Sequence, residues 1–299
     1  MIKKLTTSLN CISLNVVINF QQEETTEMDS QEIGLSIGLI LGNYLLNSEQ
    51  LHYGYWTEDL PVTLNNFSKA QENYMHFIID NFPKGINTVL DVGCGAGVLA
   101  EKLTQLGYQV DCITPSKLLY TQTIERLGNG HRVFNGNFED FESENQYDMV
   151  LFSESLQYIA LHEAISKTFN LLNKGGHILI CDFFKRDTSG KSPLGGGHKL
   201  SKFYDTISQH AFIPVTDIDI THKTAPTMTL VSDFLDQVGN PVWQLANDYM
   251  KKRRPLISKL LSWKYRKKID KLNRKYFSGL RNAESFEKHK SYRFMLYQK

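Results

Sequence analysis

The chain has 299 residues, 41% of them apolar, and a formal net charge of +1 at pH 7. This apolar share supports a packed globular core, and the near-zero charge gives no whole-molecule reason to expect a nucleic-acid partner. Four widely spaced cysteines without a C-x-x-C pair predict free thiols in a reducing, cytoplasmic compartment, and no metal site is expected.

Residues 1–30 superficially resemble a secretory signal, because Lys3 and Lys4 precede an apolar run. Three asparagines interrupt that run, and no small-residue cleavage site follows it. The polar, acidic stretch that comes next favours a poorly ordered extension. No run of about 18 apolar residues occurs that could span a membrane. We expect a single domain over residues 31–299.

Helices and strands alternate through the middle of the chain. Apolar residues at helical spacing predict helices over 31–47, where glycines weaken the pattern, and over 64–82. Five apolar runs then predict strands, and the segments between them predict helices that close at glycines. The predicted strands are 87–92, 108–114, 131–137, 147–155 and 176–184, and the helices are 98–106, 116–127 and 161–172, the last closing at the Lys174-Gly175-Gly176 turn.

Beyond Asp182 the pattern changes. A glycine-rich loop leads to an alternating strand at 212–221, a largely helical and charged segment covers 222–290, and residues 291–299 form a terminal strand. The first five strands alternate with helices and are apolar on both faces, which indicates a doubly wound, mostly parallel α/β sheet, and the two later strands bring its total to seven. The long insertion before the last strand predicts a helical cap, about 226–288, over the end of the sheet.

The stretch LDVGCGAGVLAEKL, residues 90–103, places Gly93, Gly95 and Gly97 between the first strand of this sheet and its helix. In a doubly wound sheet that bend borders the ligand crevice, and glycine lets a ligand touch the backbone. Dinucleotide-binding turns have the spacing G-x-G-x-x-G, whereas this turn has G-x-G-x-G followed by Val98. The turn therefore predicts a ligand site and disfavours a dinucleotide.

Four stretches together resemble the class I S-adenosylmethionine-dependent methyltransferases: LHYGYW (51–56), LDVGCGAG (90–97), YDMVLFSESLQYI (147–159) and LLNKGGHILICDF (171–183). They are most similar to the branch that methylates small molecules and lipids, including natural-product O- and N-methyltransferases and cyclopropane-fatty-acid-synthase-like enzymes. The resemblance runs from about residue 51 to residue 299. It implies a Rossmann-like methyltransferase fold and S-adenosyl-L-methionine as cofactor, and it leaves the acceptor open.

The resemblance also implies cofactor contacts. The three glycines would line the methionine and ribose portion of the cofactor. Asp91 would take the amino group, since a carboxylate suits an ammonium ion, although it could instead brace the strand end. Thr114 stands where the family usually has an acidic residue for the ribose hydroxyls, a departure shared with the cyclopropane-synthase-like branch. Asp111 lies too early in its strand to replace that residue.

Further along the chain, the resemblance assigns the adenine amino group to Asn137 and the edge or face of the adenine ring to Phe138. Asn137 could instead be a simple turn residue. Ser153 should border the crevice. Tyr53 or Tyr55 would form an aromatic lid over the sulfonium, because ring faces attract cations. The aromatic residues of this HYGYW stretch could equally be core packing.

Methyl transfer mainly requires alignment of the reactants, and a base is needed only when the nucleophile must lose a proton. Several relatives carry a histidine pair in the segment that is ESLQYI here, but Gln157 and Tyr158 occupy it, which excludes a histidine base at that point. Asp182, at the end of the fifth strand, is the first candidate, although it could equally bond to a neighbouring loop. The other candidates are Tyr158, Glu154, His52 and His222, of which the two histidines are more typical of packing or surface positions.

Residues 251–275 contain twelve Lys or Arg against one acid, Asp270, with apolar residues interleaved. Such a segment can be a solvated helix face. It can also dock on an anionic membrane surface, hold an anionic substrate or pair with an acidic partner. Because the cap should contact the substrate, we favour an apolar small-molecule or lipid acceptor that could carry an acidic head.

The sequence thus predicts S-adenosylmethionine-dependent transfer of a methyl group to an O, N or C atom of a small-molecule or lipid-like acceptor. One alternative is a methyltransferase-like domain that binds a ligand without chemistry, because the LQYI segment departs from the relatives. A nicotinamide oxidoreductase is a weaker alternative. The glycine spacing and the absence of an acidic residue at the end of the second strand disfavour it.

Overall fold

The computed structural model describes residues 39–40, 42–44, 48–128, 130–188 and 192–299. The extension predicted for residues 1–30 lies outside these residues. Of the helix predicted over 31–47, the described residues 39–40 and 42–44 are helical.

Seven strands form one mixed sheet in the described part of the chain: β1 Thr88–Val92, β2 Gln109–Thr114, β3 Val133–Asn135, β4 Tyr147–Ser153, β5 Leu172–Lys185, β6 Ile213–Asp219 and β7 Lys290–Gln298. Their order across the sheet is β3-β2-β1-β4-β5-β7-β6. Strands β1 to β5 run parallel to one another, and β7 runs antiparallel to both β5 and β6. The predicted doubly wound, mostly parallel sheet is confirmed.

Helices cover both faces of this sheet, because its central strands are apolar on both sides. The helices that alternate with the strands are α1 Phe67–Asp80, α2 Val98–Gln105, α3 Lys117–Leu127, α4 Leu161–Leu171 and α5 Leu200–Ile207. On one face, Tyr74 of α1 and Leu103 of α2 belong to a single apolar core. On the other face, Ile165 of α4 and Phe203 of α5 belong to a second one. The sheet therefore lies between two packed layers of helices.

Two elements differ from the sequence expectation. Helix α5 follows the glycine-rich loop, where the sequence analysis placed no helix, although Phe203 and Ile207 recur at helical spacing and are buried. Strand β5 begins at Leu172, directly after α4, rather than beyond the predicted Lys174-Gly175-Gly176 turn. Leu172 already pairs with Tyr147 of β4, and the register shifts before the regular pairing resumes.

Helices fill the insertion between β6 and β7, here called the cap: α6 Thr221–Thr224, α7 Pro226–Phe234, α8 Asn240–Arg253, α9 Pro255–Lys264, α10 Arg266–Tyr276 and α11 Ala283–His289, with a π-helical turn at Leu235–Gly239. Met228 of α7 and Phe286 of α11 join the first apolar core. Helices α8 and α9, described throughout, bury none of their residues. Within the described residues, no helix combines the length and apolarity needed to cross a bilayer.

Candidate active site

The three glycines of the turn between β1 and α2 serve different purposes, although all have positive φ, between 58° and 77°. A Cβ on Gly93 would overlap the Ser155 side chain, and one on Gly97 would lie 3.0 Å from Thr123, so the protein's own packing requires both glycines. A Cβ on Gly95 would meet no described atom within 4 Å. Gly95 is therefore the position where bare backbone faces open space.

Asp91, two residues before the turn, is a buried carboxyl group without a full set of partners. Its side chain is 1% exposed, and its Oδ2 forms no hydrogen bond with any described residue. Burial raises the pKa of this carboxyl to about 7. An unpaired buried carboxylate is costly, and a ligand ammonium group would compensate it. The open side of Gly95 and the unpaired Asp91 thus fit S-adenosylmethionine, which carries an ammonium group.

The next strand, β2, presents Thr114 at its end, buried to 1% exposure beside the turn. The backbone N–H groups of Gly93 and Cys94 both donate to Ile113 O, at 2.8 and 3.2 Å, which fixes the glycine turn against this strand end. Asp111 is engaged elsewhere, because it accepts hydrogen bonds from Arg132 and from the Tyr147 hydroxyl. Asp111 is therefore already committed to another network.

The loop after β3 places Asn137 and Phe138 differently. Asn137 is exposed, and its amide Nδ2 donates to Asp140 Oδ2 at 3.0 Å, a local turn contact. The Phe138 ring is 2% exposed and packs edge-on against Phe152, with Lys167 over its face. The structure thus gives the Phe138 ring a core position, and contact of these two residues with adenine stays a prediction.

Residues 52–56, here called the strap, lie between α1 and the cap and form hydrogen bonds to both. The Tyr55 N–H donates to Ala70 O of α1 at 2.7 Å, and the Trp56 N–H donates to Lys223 O of α6 at 2.8 Å. Thr227 Oγ1 accepts from both the Gly54 N–H and the Trp56 indole. Tyr55 and Trp56 thus make packing contacts, and the Tyr55 ring stacks on Phe77 with centroids 4.8 Å apart. Contact of Tyr55 with a sulfonium stays a prediction.

Tyr53 is the strap residue that reaches the end of β4. Its backbone N–H donates to Glu154 Oε1 at 2.7 Å, and its hydroxyl donates to the Met228 sulfur at 3.2 Å. Its ring lies 5.4 Å from that of Phe286 and 5.7 Å from that of Tyr292, measured between centroids. The strap, the cap and the end of β4 therefore meet at one residue. Contact of Tyr53 with a sulfonium stays a prediction.

Glu154 is the only non-glycine residue with positive φ among the described residues, at 56°. Its Oε1 accepts from the Tyr292 hydroxyl at 2.6 Å and from the Tyr53 N–H. No described residue hydrogen-bonds to its Oε2. Burial raises the pKa of this carboxyl to about 8, although the two donors act in the opposite direction. A strained backbone at a strand end is typical of functional sites.

Two tyrosines that the sequence analysis did not single out complete this network. The hydroxyl oxygens of Tyr74 and Tyr292 lie 3.0 Å apart, and that of Tyr74 lies 3.2 Å from Ser153 Oγ. Burial raises the pKa of both phenols well above the usual value, so both stay protonated. The helical spacing of Tyr74 predicts that it is buried, and Tyr292 lies in the predicted terminal strand. Neither pattern predicts that the two hydroxyl groups meet at the candidate site.

Asp182, the first candidate for a base, is held by its neighbours. It is 1% exposed; its Oδ1 accepts from the Phe183 N–H at 2.7 Å and from the Gln157 side chain, and its Oδ2 accepts from the Gln157 N–H. Burial raises its pKa to about 7. These contacts match the alternative in which Asp182 bonds to a neighbouring loop, and they favour a bracing role. Tyr158, by contrast, is 66% exposed.

The two histidine candidates lie in unlike places. His52 stacks on Tyr74 with ring centroids 4.4 Å apart, and its Nδ1 hydrogen-bonds with Tyr53 O. Burial lowers its pKa to about 4, so the ring is neutral near pH 7. His222 lies on the exposed side of α6. Both positions are those expected of packing and surface residues.

Comparison with known proteins relates the chain to methyltransferases. The methyltransferase domain family matches residues 89–176. The chain is 32% identical over 158 residues to an uncharacterized methyltransferase of Bacillus cereus (strain 03BB102), which covers 50% of this chain and 74% of that protein. It is also 32% identical over 119 residues to one of Bacillus cytotoxicus, covering 39% of this chain and 56% of the relative. The chain thus spans little more than half the length of the latter.

Solved structures share the fold at low sequence identity. Geranyl diphosphate C-methyltransferase from Streptomyces coelicolor A3(2), determined with Mg²⁺, geranyl diphosphate and S-adenosyl-L-homocysteine, has a TM-score of 0.61 at 15% identity, covering 91% of this chain and 99% of that one. The cyclase SpnF has a TM-score of 0.61 at 19% identity, covering 90% and 96%. With the strand order and the glycine turn, these relationships place the chain in the class I S-adenosylmethionine-dependent methyltransferases.

Proposed function

We propose that this protein transfers a methyl group from S-adenosyl-L-methionine to a small-molecule or lipid-like acceptor. The observation that carries this proposal is the pairing of an open backbone at Gly95 with an unpartnered, buried carboxyl at Asp91. Burial of a carboxyl group without a partner destabilises the folded chain. A cationic ligand lying along the turn gives both features a purpose.

In this proposal Asp91 binds the ammonium group of the cofactor, and the Gly95 backbone lies against its methionine portion. Thr114 and Asn137 stand at the ends of the next two strands, where the ribose and adenine would bind. Tyr53 closes the site from the strap side. When bound, S-adenosylmethionine supplies an activated methyl carbon on a positively charged sulfur.

Glu154 is the best-placed proton acceptor for an acceptor O–H or N–H group. The Tyr292 hydroxyl and the Tyr53 N–H fix Oε1, and Oε2 has no partner among the described residues. A carboxyl pKa of about 8 suits a base that works near neutral pH. Asp182 holds the Gln157 turn, and Tyr74 and Tyr292 of the tyrosine network are fully buried. Alignment and water exclusion are the main demands of this reaction.

The test is methyl transfer from S-adenosylmethionine labelled in its methyl group to fractionated extract of the producing cell, followed by mass spectrometry of labelled products. We expect one low-molecular-weight or lipid product and tight S-adenosylhomocysteine binding in calorimetry. Tight binding without any labelled product would favour the domain that binds without chemistry. Absence of binding would contradict the proposal entirely.

A further inference from the structure

Helix α8 presents an apolar stripe that no described part of the chain covers. Val242, Leu245 and Tyr249 lie on one helix face, since they are spaced three and four residues apart. Their side chains are 59%, 71% and 63% exposed. Single exposed apolar residues are common on soluble proteins, but a row of them is not.

Helix α9 continues this pattern. Leu256, Ile257, Leu260 and Leu261 share a helix face, and Leu256 is 83% exposed. Trp263 borders that face and is 77% exposed. The exposed apolar residues of α8 and α9, together with the cations of residues 251–275, are here called the cap surface. Rows of exposed apolar side chains on two successive helices mark an interaction site.

The charge of the cap surface identifies the kind of partner. Residues 251–275 contain twelve Lys or Arg and one acid, whereas the whole chain has a net charge of +1, so the rest of the chain is net acidic. Between described side chains, cations of this segment form two ion pairs, Lys251 with Asp248 at 3.8 Å and Arg266 with Asp270 at 3.9 Å. A surface that is both apolar and cationic matches the headgroup region of an anionic bilayer.

We propose that the cap surface docks on an anionic phospholipid bilayer. The apolar side chains of α8 and α9 enter the boundary between headgroups and acyl chains, and the surrounding Lys and Arg bind lipid phosphates. The acidic remainder of the chain is repelled by the same membrane, so the protein approaches with the cap first. A second copy of the chain is a poorer occupant, because its own cap surface would bring like charge.

The position of the cap surface gives docking a purpose. Helix α7, at the start of the same insertion, contacts the strap through Thr227 and Met228. The strap in turn contacts Glu154. Because the π-helical turn at Leu235–Gly239 joins α7 to α8, docking by the cap surface would tether the strap side of the candidate site to the bilayer, where a lipid-dissolved acceptor is concentrated. Docking itself does not depend on the proposed methyl transfer.

Sedimentation of the full chain with vesicles tests the proposal. With vesicles of phosphatidylglycerol and phosphatidylcholine in equal parts, we expect most of the protein to pellet; with pure phosphatidylcholine we expect several-fold less. Raising the salt concentration from about 0.1 to 0.5 M should weaken binding to the anionic vesicles. The tryptophan emission should shift to the blue on binding, and the shift should be smaller in Trp263→Phe, in which Trp56 and Trp243 still emit.

Variants separate the apolar contribution to vesicle binding from the electrostatic one. Leu256→Asn with Leu260→Asn should lower binding to anionic vesicles at least tenfold, whereas Leu106→Asn, which removes a leucine 53% exposed at the end of α2, should not. Lys267→Glu with Lys268→Glu should lower binding similarly, and Lys84→Glu with Lys174→Glu, two exposed lysines elsewhere, should not. Circular dichroism and S-adenosylhomocysteine calorimetry verify that each variant is folded, and they report on the proposed function separately.

Three outcomes would overturn the proposal. The first is equal binding of the chain to neutral and anionic vesicles, or binding to neither. The second is cap variants that sediment like the unaltered chain. The third is a dimer, detected by light scattering, that dissociates when Leu256 and Leu260 are both changed to Asn. A second copy of the chain would then cover the cap surface.

Discussion

The hydroxyl of Tyr292 donates a 2.6 Å hydrogen bond to Oε1 of Glu154, joining the last strand of the sheet to the end of β4. The Tyr53 N–H donates to the same oxygen. Two donors on one carboxylate oxygen orient the group and stabilise its ionised form, while burial opposes ionisation. The balance leaves a carboxyl that can gain and lose a proton near neutral pH.

Replacing Glu154 by Gln should therefore lower kcat at least about 100-fold on an O–H or N–H acceptor, because proton transfer by a positioned group typically contributes that much. The amide keeps the size of the side chain and can accept from Tyr292. Affinity for S-adenosylhomocysteine should change less than about threefold. Steady-state methylation and calorimetry measure the two quantities, and a kcat equal to that of the unaltered chain would remove Glu154 as the base.

The Tyr292→Phe change tests the positioning of Glu154. Loss of a donor to the ionised carboxylate should raise the pKa of Glu154. Since the base works in its ionised form, activity should rise with pH through a midpoint higher than in the unaltered chain. At pH values well above that midpoint, most activity should return. A pH–rate profile that keeps its midpoint would show that this hydrogen bond does not set the pKa.

Asp182→Asn should act mainly on stability. The Asp182 carboxylate accepts from the N–H groups of Phe183 and Gln157, and an amide can satisfy only part of that set. We expect a loss of about 1–3 kcal/mol in the free energy of unfolding, measured by urea denaturation. The loss of kcat should be smaller than for Glu154→Gln. The reverse order of the two kcat effects would restore Asp182 as the catalytic candidate.

Sequence alone predicts most of the fold, because apolar runs that end in glycine turns are local signals. Helix α5 escapes prediction because the preceding glycine-rich loop masks a short helical repeat. The glycine turn is predictable for the same local reason, whereas the cofactor role of Asp91 is implied by the family resemblance. The role of Asp182 is not predictable, since it depends on which N–H groups fold around it. The Tyr74–Tyr292 contact joins residues 218 positions apart, which no local pattern encodes.

The pKa of Asp91 predicts how cofactor affinity depends on pH. Burial raises that pKa to about 7, so the carboxyl is protonated in the free protein below that pH and cannot pair with an ammonium group. Affinity for S-adenosylhomocysteine should therefore fall as the pH drops from 8 to 6. Asp91→Asn should weaken binding about tenfold or more at pH 8 and flatten this dependence.

Asp111→Asn is the matched control for that prediction, because Asp111 lies in the neighbouring strand and is committed to Arg132 and Tyr147. It should leave both the affinity and its pH dependence close to those of the unaltered chain. An Asp91→Asn variant with unchanged affinity at pH 8 would mean that this carboxyl does not bind the cofactor.

Calorimetric titration of Gly95→Val with S-adenosylhomocysteine tests most directly whether the cofactor lies against the glycine turn. Gly85→Val is the control, because Gly85 also has positive φ and open space around it but lies in the loop before β1. Both changes should lower the thermal midpoint to a similar extent. If the cofactor lies against this turn, Gly95→Val should lose binding at least 100-fold while Gly85→Val binds normally. Normal binding by a folded Gly95→Val variant would show that the cofactor does not lie there.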